Sequence, residues 1–199
     1  MDGIWFGVDF GSKLSGNTVV AIHNHGKIFF MDMDAGVDAD EFIKRAAQHF
    51  KPEYIFLDAP LSLPGIYRGI DGCCDYNFRK ADRDLCAMSP MFLGGLTARA
   101  MRLKSELMND LQIEVYETYP KVKAQELGLM DLGYKGRKIQ LISCRNKVLS
   151  EIDPDILIDC NDIKTWHHLD ALLALVSAMN LKKEQVERFG DPVEGQIII

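Results

Sequence analysis

The order of apolar segments in the first third of the chain restricts the fold more than any other feature. Three apolar runs joined by short turn signals predict a meander of antiparallel strands, and they are 4–9, 18–22 and 27–31. His25-Gly26 between the last two is typical of a hairpin. A helix at about 40–50 follows, because its apolar residues recur at helical spacing and Pro52 would stop it. The buried strand predicted at 54–57 is then reached by a crossover.

The remainder of the chain alternates helices with two further strands. An irregular stretch follows Pro60 as far as Asp75 and predicts a loop. Helices are expected at about 78–86, 97–111, 121–127, 138–152 and 163–181, and strands at 113–119 and 196–199. This order matches the ribonuclease H-like α/β topology: a mixed five-stranded sheet, its first three strands antiparallel, flanked by helices. We expect one domain over 1–199, with a helical and loop insertion at about 62–111 after the fourth strand and a short C-terminal strand.

Three aspartates stand in apolar contexts where an ionised carboxylate is unfavourable. Asp9 ends the first strand against a glycine turn, Asp58 ends the fourth strand, and Asp170 lies within an apolar helix. Burying such a charge without a partner costs several kcal/mol, so these acids are candidates for function. In the predicted topology the three elements are neighbours, and their carboxylates could form an oxygen-ligand site for Mg²⁺ or Mn²⁺. The alternatives are that Asp9 caps the Gly11 turn and that Asp58 is an ordinary turn residue.

Composition sets outer limits on the function. The 199 residues are 47% hydrophobic, enough for a substantial core without disulfides, and we interpret the five cysteines as reduced thiols. The first residues lack a signal-peptide pattern and no apolar run reaches the roughly 20 residues of a membrane span, so we expect a cytoplasmic protein without membrane attachment. The oligomeric state cannot be read from the sequence.

Charge is unevenly distributed along the chain. The net charge of −6 argues against a protein that coats nucleic acid non-specifically. Two stretches are nevertheless basic: residues 67–104 carry a net charge of +3 and residues 121–147 carry +5. They indicate either solvated helix faces or contacts to phosphate groups.

Several short motifs occur in the same order as in a widespread family of unknown function whose members are predicted to be RNase H-like nucleases related to the RuvC resolvase group. The motifs are Gly7-Val8-Asp9-Phe10-Gly11-Ser12-Lys13, Leu57-Asp58-Ala59-Pro60-Leu61, Arg79-Lys80-Ala81-Asp82-Arg83-Asp84-Leu85, Tyr116-Glu117-Thr118-Tyr119-Pro120, His168-Leu169-Asp170-Ala171 and Phe189-Gly190-Asp191-Pro192-Val193-Glu194-Gly195. Each motif is short, but their common order is more specific, and together they cover nearly the whole chain.

The resemblance implies roles for individual residues. Asp9 corresponds to the first-strand acid that bridges metals, Asp58 to the fourth-strand acid and Asp170 to the acid of the closing helix. Glu117 matches the family's glutamate before Tyr-Pro, as a further ligand or a partner of one. RuvC-like nucleases usually carry a glutamate on the fourth strand, and the shorter Asp58 could shift one metal or leave the site with a single ion.

The chemistry expected of such a site is metal-assisted phosphodiester hydrolysis, with Asp9 shared by two ions about 3.5 to 4 Å apart. The substrate would be a nucleic acid or a nucleotide. Arg79, Lys80 and Arg83 in the insertion, together with Lys121 or the nearby Lys123, could bind its phosphate oxygens.

Several of these residues also have plain structural interpretations. Arg79 and Asp82 are three apart on a predicted helix and could simply pair with each other. His167 lies one turn before Asp170 and could orient a ligand or transfer a proton, but an exposed or internally satisfied histidine is the simpler interpretation. Trp166 could stack on a base or pack internally, and packing is the simpler interpretation.

Two other functions compete with the nuclease. Asp9-Phe10-Gly11-Ser12 also resembles the phosphate-binding turn of actin and sugar-kinase phosphotransferases. Those enzymes close two lobes over ATP, whereas this chain has the length of one lobe and shows no second Asp-x-Gly turn after a predicted strand. The other competitor is a catalytically silent binding module for nucleic acid or nucleotides on the same fold.

Overall fold

The computed structural model describes residues 2–199, and their strands form one mixed sheet. The strands are β1 (Ile4–Asp9), β2 (Val19–Asn24), β3 (Lys27–Asp32), β4 (Tyr54–Asp58), β5 (Glu114–Glu117), β6 (Leu157–Ile158), β7 (Arg188–Asp191) and β8 (Gly195–Ile198). The helices are α1 (Ala39–Phe50), α2 (Lys80–Leu85), α3 (Pro90–Leu93), α4 (Gly95–Leu111), α5 (Pro120–Glu126), α6 (Lys138–Ser150) and α7 (Trp166–Lys182). Short 3₁₀ turns occur at Gly65–Arg68 and Cys160–Asp162.

The centre of the sheet follows the predicted connectivity. The strand order is β6-β3-β2-β1-β4-β5-β8-β7. β1, β2 and β3 form the antiparallel meander, β4 is parallel to β1, and β5 is parallel to β4. The predicted count of five strands plus a short terminal strand is wrong, because the residues described form eight strands. The two additional strands lie at the sheet edges: β6 has only two residues, and β7 is an exposed partner of β8 without apolar alternation.

Helices cover both faces of the sheet. α7 packs on one face, where the apolar residues of α6 complete the core. It is buried continuously from His168 to Met179, because its sequence is apolar on all sides. α1 and α4 cover the other face and contribute Ile43 and Leu103 to a second core. The last helix of the predicted insertion at 62–111 is therefore part of a core layer.

A glycine in β1 sets the distance between the sheet and α7. A Cβ atom on Gly7 would lie 2.1 Å from the backbone nitrogen of Leu175 and 2.3 Å from the carbonyl oxygen of Ala171. No side chain fits there, so the helix rests directly on the strand. Because side chains alternate along a strand, Asp9 points to the same face as Gly7 and therefore towards α7. This contact places the start of α7 beside the end of β1.

Over residues 2–199, no helix has the length and apolar character that crossing a bilayer requires.

Candidate active site

The first two acids meet through strand pairing. Asp9 and Asp58 are the last residues of β1 and β4, and their Cα atoms are direct partners in the parallel register. Parallel strands end at the same edge of a sheet, so both carboxyl groups emerge there on the α7 face. Such carboxyl edges are the usual ligand sites of α/β sheets.

The third acid is supplied by α7. Thr165 caps this helix through its hydroxyl, which accepts from the His168 backbone N–H, and Asp170 follows in the second turn. The side chain of Asp170 is only 2% exposed and lies over the end of the sheet because of the close contact at Gly7. The structure therefore places Asp9, Asp58 and Asp170, from three separate elements, at the same edge of the sheet.

Asp58 and Asp170 have raised pKa values, to which the neighbouring carboxylates contribute. Burial raises the pKa of Asp58 well above its ordinary value, and the charges of Asp9 and Asp170 raise it further. Burial and the charge of Asp9 raise the pKa of Asp170 to about 6, against the opposing effect of Lys135. Like charges in a poorly solvated site cannot all ionise at little cost. The site therefore favours a proton or a cation.

Two cationic side chains partly meet that demand. Nδ1 of His167 lies 2.6 Å from Oδ2 of Asp9, and this hydrogen bond raises the pKa of His167. Lys135 forms an ion pair with Oδ2 of Asp170, and the hydroxyl of Tyr134 donates to Oδ1 of the same carboxylate. Asp58 has no ion-pair partner among the residues described.

Lys135 reaches the site from the connection between α5 and α6. Its backbone φ of 64° lies in the left-handed region, which few side-chain-bearing residues adopt without cause. Gly133 and Gly136 flank the segment, and the carbonyl of Gly136 accepts a hydrogen bond from Nε1 of Trp166. Trp166 thus fastens this loop to the start of α7, beside Asp170.

The donor set agrees with a hard divalent cation, but the present arrangement does not yet surround one. Carboxylate oxygens are the preferred ligands of Mg²⁺ and Mn²⁺. Within residues 2–199, however, no three histidine, cysteine or acidic side chains are grouped closely enough to hold a metal ion. The Lys135 ammonium group lies against Asp170 and interacts with Asp9 and Asp58 as well. The carboxylate oxygens are suitable ligands for such a metal, and the ammonium group of Lys135 supplies positive charge next to them.

Glu117 does not join the acid site. Its two oxygens accept from Arg79, at 2.6 Å from Nη2 and 2.7 Å from Nη1, and Oε2 also accepts from the backbone N–H of Leu61. Arg79 is fully buried and further bonded to Asp82 and to Ser62 Oγ. The expected phosphate contact of Arg79 and metal contact of Glu117 are thus replaced by pairing with each other, because each is the other's charge partner in the interior.

The other predicted phosphate-binding residues lie on the surface. Lys80 pairs with Asp84 at 2.5 Å, and Arg83 pairs with Asp75 at 2.8 Å. Lys121 is exposed in the first turn of α5, while Lys123 is buried and pairs with Glu126 at 2.6 Å. Lys80, Arg83 and Lys121 are therefore accessible to solvent, and Lys123 is not.

Comparison with known proteins decides the family. The sequence profile described as "Protein of unknown function (DUF429)" matches residues 7–195. The chain belongs to the DUF429 family. This match confirms the resemblance noted in the sequence. Among curated proteins, none matches this DUF429 chain significantly. A solved structure described as Thermus thermophilus RuvC aligns with 92% of this chain and 97% of its own, with 13% sequence identity and a TM-score of 0.44.

Two residues of the DUF429 site were missed by the sequence reasoning. Tyr134 and Lys135 lie in an irregular loop between helices, where no periodicity indicates which way a side chain points. The available signal was a lysine between two nearby glycines, in the basic stretch 121–147. That pattern occurs in many exposed loops, and only the contact of the loop with Trp166 brings it to Asp170.

Proposed function

We propose that this DUF429 protein is a divalent-metal-dependent nuclease or phosphodiesterase built on one RNase H-like domain over residues 1–199, with the insertion at about 62–111. The observation that carries the proposal is that three carboxylates, Asp9, Asp58 and Asp170, lie at the carboxyl edge of a mixed sheet and interact electrostatically. The central strand order β3-β2-β1-β4-β5 supports the fold assignment. It is the arrangement in which a first-strand acid, a fourth-strand acid and a closing-helix acid become neighbours.

The three aspartates are the proposed ligands of Mg²⁺ or Mn²⁺. When bound, the metal would supply an activated water and stabilise the charge on the leaving oxygen of a phosphodiester. Asp9 pairs with Asp58 in the sheet, and its charge raises the pKa of Asp170 as well. His167 holds the Asp9 carboxylate through Nδ1 and thereby fixes its orientation. Asp58 has no ion pair to fix its carboxylate among the residues described, so its side chain can reorient towards a metal most easily.

Lys135 must leave Asp170 before a metal ion can bind there. Its side chain is 51% exposed, so it can swing from Asp170 into solvent without opening the core. The Tyr134 hydroxyl can remain on Oδ1 of Asp170 and keep that carboxylate oriented. The metal would thus replace the positive charge of Lys135. In the metal-free protein, Lys135 limits the repulsion among the acids.

Substrate phosphates are the proposed partners of the exposed cations. Lys80, Arg83 and Lys121 keep their charges at the surface and can exchange their carboxylate partners, where they have one, for phosphate oxygens. Arg79 and Glu117 instead support the site, because their pairing anchors the segment after β4 through Leu61 and Ser62. The proposed substrate is accordingly a nucleic acid or a nucleotide.

A catalytically silent nucleic-acid or nucleotide binding module is the second candidate. The observation that favours it is the ion pair of Lys135 with Asp170, since a permanent ammonium group there would replace the metal.

Hydrolysis assays separate the two. Single-stranded, duplex and branched DNA, RNA and nucleotides are incubated with Mn²⁺ or Mg²⁺ and wild type, Asp9→Asn or Asp155→Asn. Asp155 is an exposed acid on the Pro154 loop and serves as the matched control. We expect hydrolysis by wild type and Asp155→Asn that EDTA abolishes, and at least a hundredfold loss in Asp9→Asn. Equal rates for all three proteins would point to a contaminating enzyme and contradict the proposal.

A further inference from the structure

A mainly apolar cavity opens directly beside the acid site. Its volume is about 250 Å³, and Asp58 contributes to its wall. We propose that this cavity binds one unstacked nucleobase of the substrate, next to the phosphate at the acids. The proposal rests on the proposed function for the identity of the substrate, and it adds that the nucleotide at the site must be unpaired or single-stranded.

The position of the cavity is that of a ligand site. Residues that follow β4 and β5, together with Ile197 of β8, form its inner side. The segment 87–96 forms the outer side. In open α/β sheets ligands bind outside the carboxyl ends of the strands, where the chain leaves the sheet. The cavity and the acid site therefore share one edge and can receive adjoining parts of one molecule.

The walls suit a flat ring. Pro60, Met88, Leu93, Leu96 and Tyr119 line the space with aliphatic and aromatic surface. Met88 is 58% exposed and can move to fit a ring that enters the cavity. Enzymes that act on single nucleotides hold an extruded base between apolar and aromatic side chains in this way. A base that stays stacked in a duplex could not enter a cavity of this size.

Two hydroxyl groups of the wall, those of Thr118 and Tyr119, remain for the edge of the base, and the Thr118 hydroxyl is the buried one. Among the polar side chains of the wall, Asp82 and Glu117 are paired with Arg79, and Asp58 belongs to the acid site. Thr118 is 2% exposed, and its Oγ1 has no hydrogen-bond partner among the residues described. Buried hydroxyl groups nearly always have a partner. A base bound in the cavity can supply one once the Thr118 side chain rotates its hydroxyl towards the cavity.

Binding of uncharged nucleosides to the metal-free protein tests the proposal. Without metal the acids repel phosphate, so adenosine, guanosine, cytidine and uridine probe the cavity alone. Saturation-transfer NMR in EDTA should show stronger transfer to base protons than to ribose protons. Ala87→Phe fills the cavity and should weaken binding about tenfold or more. Ile139→Phe adds the same ring on the exposed face of α6 and should bind as wild type does.

A second variant guards against misfolding of the first. Thr118→Val keeps the shape of the side chain and removes a hydroxyl that has no internal partner, so its unfolding temperature should match that of wild type. Its affinity for the preferred nucleoside should fall about two- to tenfold, the usual range for one hydrogen bond. Equal affinity of wild type and Thr118→Val would overturn the assignment of this hydroxyl.

The outcome is independent of catalysis. No saturation of base protons in wild type, or equal saturation in wild type and Ala87→Phe, overturns the cavity proposal even if the protein hydrolyses nucleic acids. Nucleoside binding that Ala87→Phe abolishes supports it even if no hydrolysis is found, in which case the proposed function alone fails.

Discussion

Two groups of charged residues lie at the same edge of the sheet and differ in how far their charges are compensated. The Arg79 cluster, defined here as Arg79, Asp82, Glu117 and Ser62, is closed and fully hydrogen-bonded. In the acid site, defined as Asp9, Asp58 and Asp170, only two of the three carboxylates have an ion-pair partner among the residues described. A carboxylate with a buried guanidinium partner is part of the architecture. One that faces other carboxylates is available for a ligand.

The difference lies in how charge is compensated. Five hydrogen bonds link the guanidinium group of Arg79 to Asp82, Glu117 and Ser62. In the acid site Lys135 is half exposed and Asp58 is unpaired within the part of the chain that the structure describes. The raised pKa values of Asp58 and Asp170 express that deficit. Removing charge should therefore damage the first group and relieve the second.

The largest expected effect is the loss of Arg79. Arg79→Met leaves Asp82 and Glu117 as uncompensated buried charges, and we expect unfolding to become easier by about 3 to 5 kcal/mol. Urea denaturation measures this change. Arg83→Met is the matched control, because the exposed pair of Arg83 with Asp75 is screened by solvent and should contribute little. A loss as small for Arg79 as for Arg83 would show that the cluster is not structural.

The acid site should show the opposite pH dependence from an ordinary ion pair. The pKa of Asp170 is raised from 3.8 to about 6, so the folded state holds its proton more tightly than the unfolded state. Stability of the metal-free protein should then be greatest below about pH 4 as far as Asp170 is concerned, and fall as pH rises to about 6. We expect a loss of about 3 kcal/mol over this window that is absent in Asp170→Asn.

Urea denaturation of both proteins at several pH values measures the difference. Subtracting the variant's curve removes the contribution of groups that titrate in both. If stability due to Asp170 increased with pH instead, Lys135 and Tyr134 would dominate over burial, and Asp170 would resemble the carboxylates of the Arg79 cluster.

Asp58→Asn should stabilise the metal-free protein. The substitution removes a poorly solvated charge that faces Asp9 and Asp170 and is only partly offset by the charge of Lys135. Each kcal/mol gained would raise the unfolding temperature by about 2 to 4 °C in a chain of this length. Differential scanning calorimetry in EDTA measures the shift. The corresponding change in the Arg79 cluster, Glu117→Gln, should lower the unfolding temperature, and a decrease in both variants would remove the contrast between the two groups.

The smallest expected effect concerns Lys135. Its exposed ion pair with Asp170 competes with a divalent cation, so Lys135→Met should tighten Mn²⁺ binding by about fivefold or less, as expected for a solvent-screened pair. Isothermal titration calorimetry gives the two dissociation constants. Lys138→Met removes a nearby exposed charge in the first turn of α6 and controls for the change in net charge. Weaker Mn²⁺ binding in Lys135→Met would mean that the lysine assists the metal.

The sequence predicted what depends on strand and helix periodicity. Asp9 and Asp58 are neighbours because β1 and β4 pair in parallel. The apolar residues of both strands predicted these strands from the sequence. Asp170 was conspicuous because a lone acid within an apolar helix is unfavourable. The edge strands β6 and β7 were missed, because such short, exposed strands carry no alternation.

Contacts between residues far apart in the chain could not be predicted from the sequence pattern. Arg79 and Glu117 are 38 residues apart and look like separate surface charges until the fold buries them together. Asp82, three residues from Arg79, was the one partner that helical spacing indicated. Lys135 reaches Asp170 across 35 residues, through a loop conformation that only tertiary contacts impose. Pairing across such distances follows from topology and packing rather than from local pattern.

Mn²⁺ binding tests the central claim most directly. Electron paramagnetic resonance of free Mn²⁺, titrated with wild type, Asp9→Asn and the control Asp155→Asn, measures affinity without any substrate. The account predicts saturable binding by wild type and Asp155→Asn, and at least a 10- to 100-fold weaker affinity in Asp9→Asn. Absence of binding by wild type, or equal binding by all three proteins, would contradict a metal site at Asp9, Asp58 and Asp170.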